Sequence, residues 1–332
     1  MKSIICFRNL KFYNISIFSY ITLNNTKKGL IFGAFGVIFV GFQPVVANSR
    51  PHILDAYLSA AMTCLVEAMI FLPILLLEAM KKKNYNQSDN KSRFKLLSGW
   101  KKNLLLFVLI GLIFSINQVF FFVGYEMAGA INGSLTQKTT VFFGIILGYL
   151  ILKEKITKLQ LIFSCFLFLG LTIGITQFFT LVQFSITILF GVLILLLISF
   201  LWMVGHTLTK PVFDRKEATP IQMVFIRNFL SGILLISTYF IIFPVDLTIF
   251  RDIENLTFFF IMGGVYGSGL VCWYKTLSYL EISKATIIFA PTPIISAIFA
   301  SFILGEIFTI FNLIGTIIVI ISIIVIVNQK EK

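Results

Sequence analysis

Residues 134–157 read SLTQKTTVFFGIILGYLILKEKIT, and residues 286–309 read TIIFAPTPIISAIFASFILGEIFT. Laid over each other without a gap, 152 positions apart, they match Ile151 to Ile303, Leu152 to Leu304, Glu154 to Glu306 and Thr157 to Thr309. Small residues coincide as well, Gly144 with Ser296 and Gly148 with Ala300. The register extends upstream to Gly111 and Gly263 and downstream through another apolar stretch. Each copy is one apolar helix closed by a Glu. The pair therefore marks the centre of a chain built twice from one unit.

Composition fixes the surroundings of that unit. Apolar residues make up 58% and charged ones 12%, against about 25% charged in soluble domains. Apolar runs of about 20 residues, enough to cross ~30 Å of hydrocarbon as helix, recur along the whole chain. Backbone groups in lipid must be satisfied within a segment, which selects helices, and the ~10-residue alternating segments of a strand barrel are missing. The reading is an all-α integral membrane protein. Its spans are 29–47, 54–80, 103–124, 130–152, 158–178, 187–208, 219–243, 256–277, 283–304 and 309–328.

The charge distribution orients these ten spans. With the N-terminus cytoplasmic, 23 of the 27 Lys and Arg fall on one side and only Arg50 and Arg251 on the other; Lys138 and Arg227 lie within spans. That asymmetry predicts an N-in, C-in topology and turns the net charge of +13 into a topological signal rather than a nucleic-acid one. Residues 1–28 read as a cytoplasmic arm with an interfacial segment, 29–178 and 187–328 as two five-helix repeats, and 329–332 as a cytoplasmic tail. Loop 81–102 reads as a long polar cytoplasmic connection. An odd number of spans per copy inverts the second, a plan that sets a substrate site near midplane between the copies.

Pro293 followed thirteen positions later by Glu306, with Thr309 opening the last helix, resembles a pattern of the drug/metabolite transporter superfamily, within it the EamA-type ten-helix carriers. Glu154 and Thr157 repeat it, with Val141 in the proline's place. Phe200, Leu201 and Trp202 resemble the first helix of the family's second repeat, and Arg227 its usual basic residue, with Glu67 roughly equivalent in the first half. The resemblance spans about 29–328. It implies a secondary-active transporter in the cell membrane, exporting amino acids or related compounds. In related carriers of phosphorylated metabolites a lysine in the fourth span resembles Lys138, which keeps open an exchanger of anionic phosphate- or nucleotide-bearing metabolites. A passive channel or non-transporting receptor is the reading from another class.

Polar groups within spans cost roughly 2.5–3.5 kcal/mol per charge at helix centre, so each is a candidate. Lys138, flanked by Gln137 and Thr139, either lines a central cavity or pairs with Glu67. Glu67 either couples transport to protons or is neutralised by Lys138 or Arg227. Arg227 snorkels, pairs or couples. Gln43, Asn117, Gln118, Trp202 and Tyr266 are candidates for binding substrate. His206 reads as structural, Trp273 and Tyr274 beside Lys275 as an interfacial belt, and Glu154 and Glu306 as turn residues. Gly144 and Gly148, with Ser296 and Ala300, predict close helix approach, and Pro291 and Pro293 a break in the ninth span.

The phosphate loop GxxxxGK[ST] is missing, as are HExxH and GxSxG, so an enzyme is not expected. Cys6, Cys64, Cys165 and Cys272 have no metal or redox spacing, so neither metal nor cofactor is expected. The expected partners are a small-molecule substrate, the lipid bilayer, and a coupling proton or counter-substrate, with a homodimer allowed and nucleic acid excluded.

Overall fold

The computed structural model describes residues 5–85, 102–152, 155–177, 185–244, 247–280 and 282–327. These form α1 (Ile5–Asn48), α2 (Ala56–Tyr85), α3 (Leu104–Ala128), α4 (Ala130–Thr136), α5 (Thr140–Leu147), α6 (Lys158–Thr176), α7 (Ile186–Asp214), α8 (Pro220–Ile242), α9 (Ile253–Tyr279), α10 (Ile282–Ile288), α11 (Thr292–Ile303) and α12 (Ile310–Val327). Nine helical segments among the described residues are long and apolar enough to cross a bilayer, and Ile310–Ile326 supplies a shorter tenth. The fourth span is α4 and α5 together, and the ninth is α10 and α11.

The most extensive packing joins α6 to α12, α1 to α9, α2 to α8 and α3 to α7. Every one of these pairings crosses from the first half of the chain to the second. Exchanging the halves maps α1·α9 onto α3·α7 and returns α2·α8 and α6·α12 to themselves, so the bundle has a pseudo-twofold axis and its halves interleave. Hydrogen bonds obey the same symmetry. Thr157 caps α6 with Gln160 as its reciprocal partner, and Thr309 caps α12 in the same way with Asn312. Gln160 Nε2 then donates to Ile326 O at 3.3 Å, and Asn312 Nδ2 to Gly174 O at 2.7 Å, each partner 152 residues from its counterpart. The threonines shared by the two quoted stretches are thus helix starts, whose first N–H groups need an acceptor.

Glycine lets two of these pairs come close. A Cβ on Gly315 would lie 2.5 Å from Gly170 O and 2.8 Å from Gly174 Cα, so α6 and α12 meet backbone to backbone. Gly269 of α9 has no room beside Gln43 of α1. The small-residue pairs expected to pack tightly divide. Ser296 and Ala300 are fully buried, Ser296 Oγ donating to Gly41 O at 2.6 Å, whereas Gly144 meets only the mobile end of Met203 at 3.0 Å. A π turn, Gly148–Leu152, follows instead.

Other expectations change too. The N-terminal arm is continuous with the first span, in one helix of 44 residues from Ile5 to Asn48. Glu306 is a capping residue for another helix: its Oε1 and Oε2 accept from Ala130 N (2.7 Å) and Ile131 N (3.0 Å), closing the first turn of α4 from the opposite half. Gly129, with φ +79°, makes the bend that presents those N–H groups. The reading of Glu154 falls outside the described residues, as do most of loop 81–102, most of the stretch between the two repeats and the tail 329–332.

Candidate functional site

Both broken spans break at equivalent places. The fourth tightens to a 3₁₀ turn over Gln137–Thr139, and the ninth unwinds between Ile288 and Thr292, 152 residues on. Proline explains the second break. Pro293 has no N–H to return to Phe289 O, and Pro291 none for Ile287 O. The freed Phe289 carbonyl accepts instead from Thr292 Oγ1 at 2.5 Å and, across the halves, from Lys138 Nζ at 2.9 Å. The first break carries no proline, and its lysine reaches over to satisfy the second.

A cavity of about 100 Å³ lies beside this contact. Lys138, Gln137 and Thr140 line it from the fourth span, Thr286 and Phe289 from the ninth. From α9 come Tyr266, Gly269, Leu270 and Trp273, at i, i+3, i+4 and i+7, which is one face of a helix. From α7 come Trp202, Met203 and His206, from α1 Val40 and Gln43, and from α8 Arg227. Gln43 Nε2 donates to Tyr266 O at 3.2 Å and holds α1 against α9.

Of the residues singled out from the sequence, Lys138, Gln137, Gln43, Tyr266, Trp202 and Arg227 border the cavity. Thr139 does not; it is fully buried with Oγ1 donating to Thr136 O at 2.9 Å. Asn117 and Gln118 also lie behind the lining, and Asn117 Nδ2 and Oδ1 and Gln118 Nε2 are buried without a hydrogen-bond partner. Glu67 is fully buried outside the lining, accepting from Asn228 Nδ2 at 2.6 Å. The ion pair between Lys138 and Glu67 is not formed, since Lys138 is committed to Phe289 O. Arg227 does not snorkel: at 2% exposure its guanidinium lies 3.7 Å from the centre of the Phe114 ring.

Sequence reasoning set aside two lining residues. Trp273 is no interfacial anchor but packs edge-on to Phe289 at 5.1 Å and against His206 at 5.5 Å, while Tyr274 is fully buried. The signal was present in the helical spacing from Tyr266 to Trp273, and the neighbouring Lys275 obscured it. That lysine lies over the Phe32 ring, at 4.9 Å. His206, near its helix end, reaches the cavity because α7 continues past it to Asp214.

Electrostatics outside the membrane-spanning segments centre on Glu217. Its carboxylate, 9% exposed, takes Arg215 at 2.9 Å, Asn103 at 2.9 Å and Lys102 at 3.1 Å, which holds its pKa down at about 2. This clasp ties the α7–α8 turn to the start of α3.

The chain matches the model of the EamA-like transporter family twice, over residues 27–176 and 189–328. It belongs to that family. Among relatives, the "Uncharacterized transporter YyaM" of Bacillus subtilis (strain 168) is 26% identical over 231 residues, 67% of this chain and 73% of that protein. A solved structure described only as "Crystal structure of protein" aligns with 90% of this chain and 96% of its own at a TM-score of 0.64, with 12% identity, a likeness of fold alone. As an EamA-like protein with this many apolar helices, the chain is a multi-pass membrane transporter of small molecules.

Proposed function

We propose that the chain is a secondary-active carrier of small metabolites in the plasma membrane, working by alternating access with N- and C-termini cytoplasmic. The observation that carries this reading is the cavity, which sits where the two helix breaks meet and takes its lining from both halves. Breaks near the centre of repeat-related spans are what a carrier needs, because unwound backbone can face substrate without facing lipid.

The packing supports a motion of mixed groups rather than of whole halves. The halves 29–178 and 187–328 interleave too closely to rock as two blocks. The natural bodies are α1 with α9 and α11, and α3 with α7 and α5, each drawn from both halves and exchanged by the pseudo-twofold axis. Alternating access is then the exchange of packing between those groups, with α2·α8 and α6·α12 as the supports. The family resemblance favours export of amino acids or related compounds. Exchange of anionic metabolites is favoured by the two bases in the lining, Lys138 and Arg227.

Proteoliposomes test the reading: saturable uptake accelerated by substrate on the opposite side is expected. Conductance that does not saturate would make the protein a channel. Glu67 is the candidate coupling carboxylate, and transport indifferent to an imposed pH gradient would remove proton coupling.

A further inference from the structure

We propose that the cavity binds a small aromatic monoanion, one ring bearing one acid group, with the acid against Lys138 and Arg227 and the ring among Trp202, Trp273 and Phe289. This rests on the reading of the cavity as the transport site and names its substrate class. Two features of the lining lead to it, and a third limits its size.

The first is charge. Among the described residues, two cationic side chains, Lys138 and Arg227, line the cavity and no acid does. Ion pairs among the described residues join Arg50 to Glu126, Lys210 to Asp214, and Glu217 to Lys102 and Arg215, so neither cavity base has a carboxylate within 4 Å. Lys138 has a carbonyl in place of a counter-ion. Arg227 lies on a ring face with its Nε unpartnered among the described residues, while Glu67, Tyr266 and Tyr274 lie near enough to act on it electrostatically. Arginine does not deprotonate in proteins, so this wall stays cationic. For Lys138, buried charge without a counter-charge is costly, and a bound anion supplies the missing partner. The ammonium of an amino acid would find no carboxylate among the described residues of the lining to receive it.

The second feature is the wall. Trp202, Tyr266, Trp273, Phe289 and His206 give the cavity flat, polarisable sides that suit stacking or edge contacts with a ring. The third is size. The cavity measures about 100 Å³, whereas an apolar cavity of ~150 Å³ holds benzene and drug-sized pockets run to roughly 300–1,000 Å³. The size therefore sets an upper bound: a nucleotide is too large, and even one small ring requires the lining side chains to move outward.

The test uses the purified full-length protein in detergent, titrated with sodium benzoate and followed by tryptophan fluorescence and thermal shift. Benzamide, benzylamine, phenylalanine, acetate and uridine monophosphate are the comparators. Benzoate is expected to bind at least tenfold more tightly than each of them. Lys138→Gln should weaken benzoate about tenfold or more, the loss of one hydrogen bond to a charged group. Trp273→Leu should weaken benzoate and leave the feeble binding of acetate unchanged. Failure of benzoate to bind, equal binding of any comparator, or full affinity in folded Lys138→Gln overturns the proposal. Counterflow then separates the two claims. Benzoate that binds but is not carried refutes the carrier and leaves the site; a comparator carried while benzoate neither binds nor competes does the reverse.

Discussion

Lys138→Met is expected to raise the stability of the ligand-free protein while removing its affinity for anions. The lysine is 8% exposed and its Nζ has Phe289 O, at 2.9 Å, as hydrogen-bond partner. Losing a hydrogen bond to a charged donor costs about 1.5–3 kcal/mol. Removal of the lysine does not orphan that carbonyl, because Thr292 donates to it from both Oγ1 and N. Against the loss stands the cost of burying an ammonium away from any carboxylate, several kcal/mol, which methionine of similar length avoids. The balance favours the variant by about 1–3 kcal/mol, a rise of roughly 2–6 °C in midpoint on the scale for large domains. Thermal unfolding in one detergent at a single scan rate measures it, since unfolding of such proteins is commonly irreversible. A midpoint several degrees below wild type for Lys138→Met, with Lys138→Arg unaffected, would make the lysine a structural tie and refute the reasoning.

Glu306→Ala should lower stability by about 1–2 kcal/mol, the worth of an N-terminal cap, and Glu306→Gln by less because it keeps an acceptor; thermal unfolding orders the three proteins. Gly315→Ala should cost more than about 2 kcal/mol, because its Cβ would strike the backbone of Gly170 and Gly174 rather than a side chain that can turn away. Glu217, whose pKa is depressed from 4.5 to about 2, contributes stability that is complete above pH 4.5 and is lost as pH falls through the window to about 2. A thermal-midpoint series over that range should flatten in Glu217→Gln, and an unchanged acid limb would show that the clasp contributes nothing.

Much of the fold was legible because lipid leaves the chain few choices. Runs of about 20 apolar residues define spans whatever they pack against, and the basic loops count them. The 152-residue register gave the duplication, and Pro291 with Pro293 gave one helix break, since a missing N–H is a local fact. The second break, at Gln137–Thr139, carries no such mark and appears only where α4 and α5 meet the other half.

The site was legible in part for the same reason. Buried polar residues are visible in a sequence, but their direction around a helix is not. Gln43, Gln137, Lys138, Trp202, Tyr266 and Arg227 turn toward the cavity, while Glu67, Asn117, Gln118 and Thr139 turn away into the packing. Trp273 and His206 turn inward from positions near helix ends that read as surface. The stretch 134–157 and its copy thus determine from sequence alone that the protein is built twice from one unit, with a Glu and a Thr at matching positions of the two copies. Tertiary structure decides the rest: Glu306 caps a helix in the other half, and Lys138 meets the carbonyl that Pro293 frees. Both contacts join residues more than 150 positions apart, and only packing brings such groups within hydrogen-bonding distance.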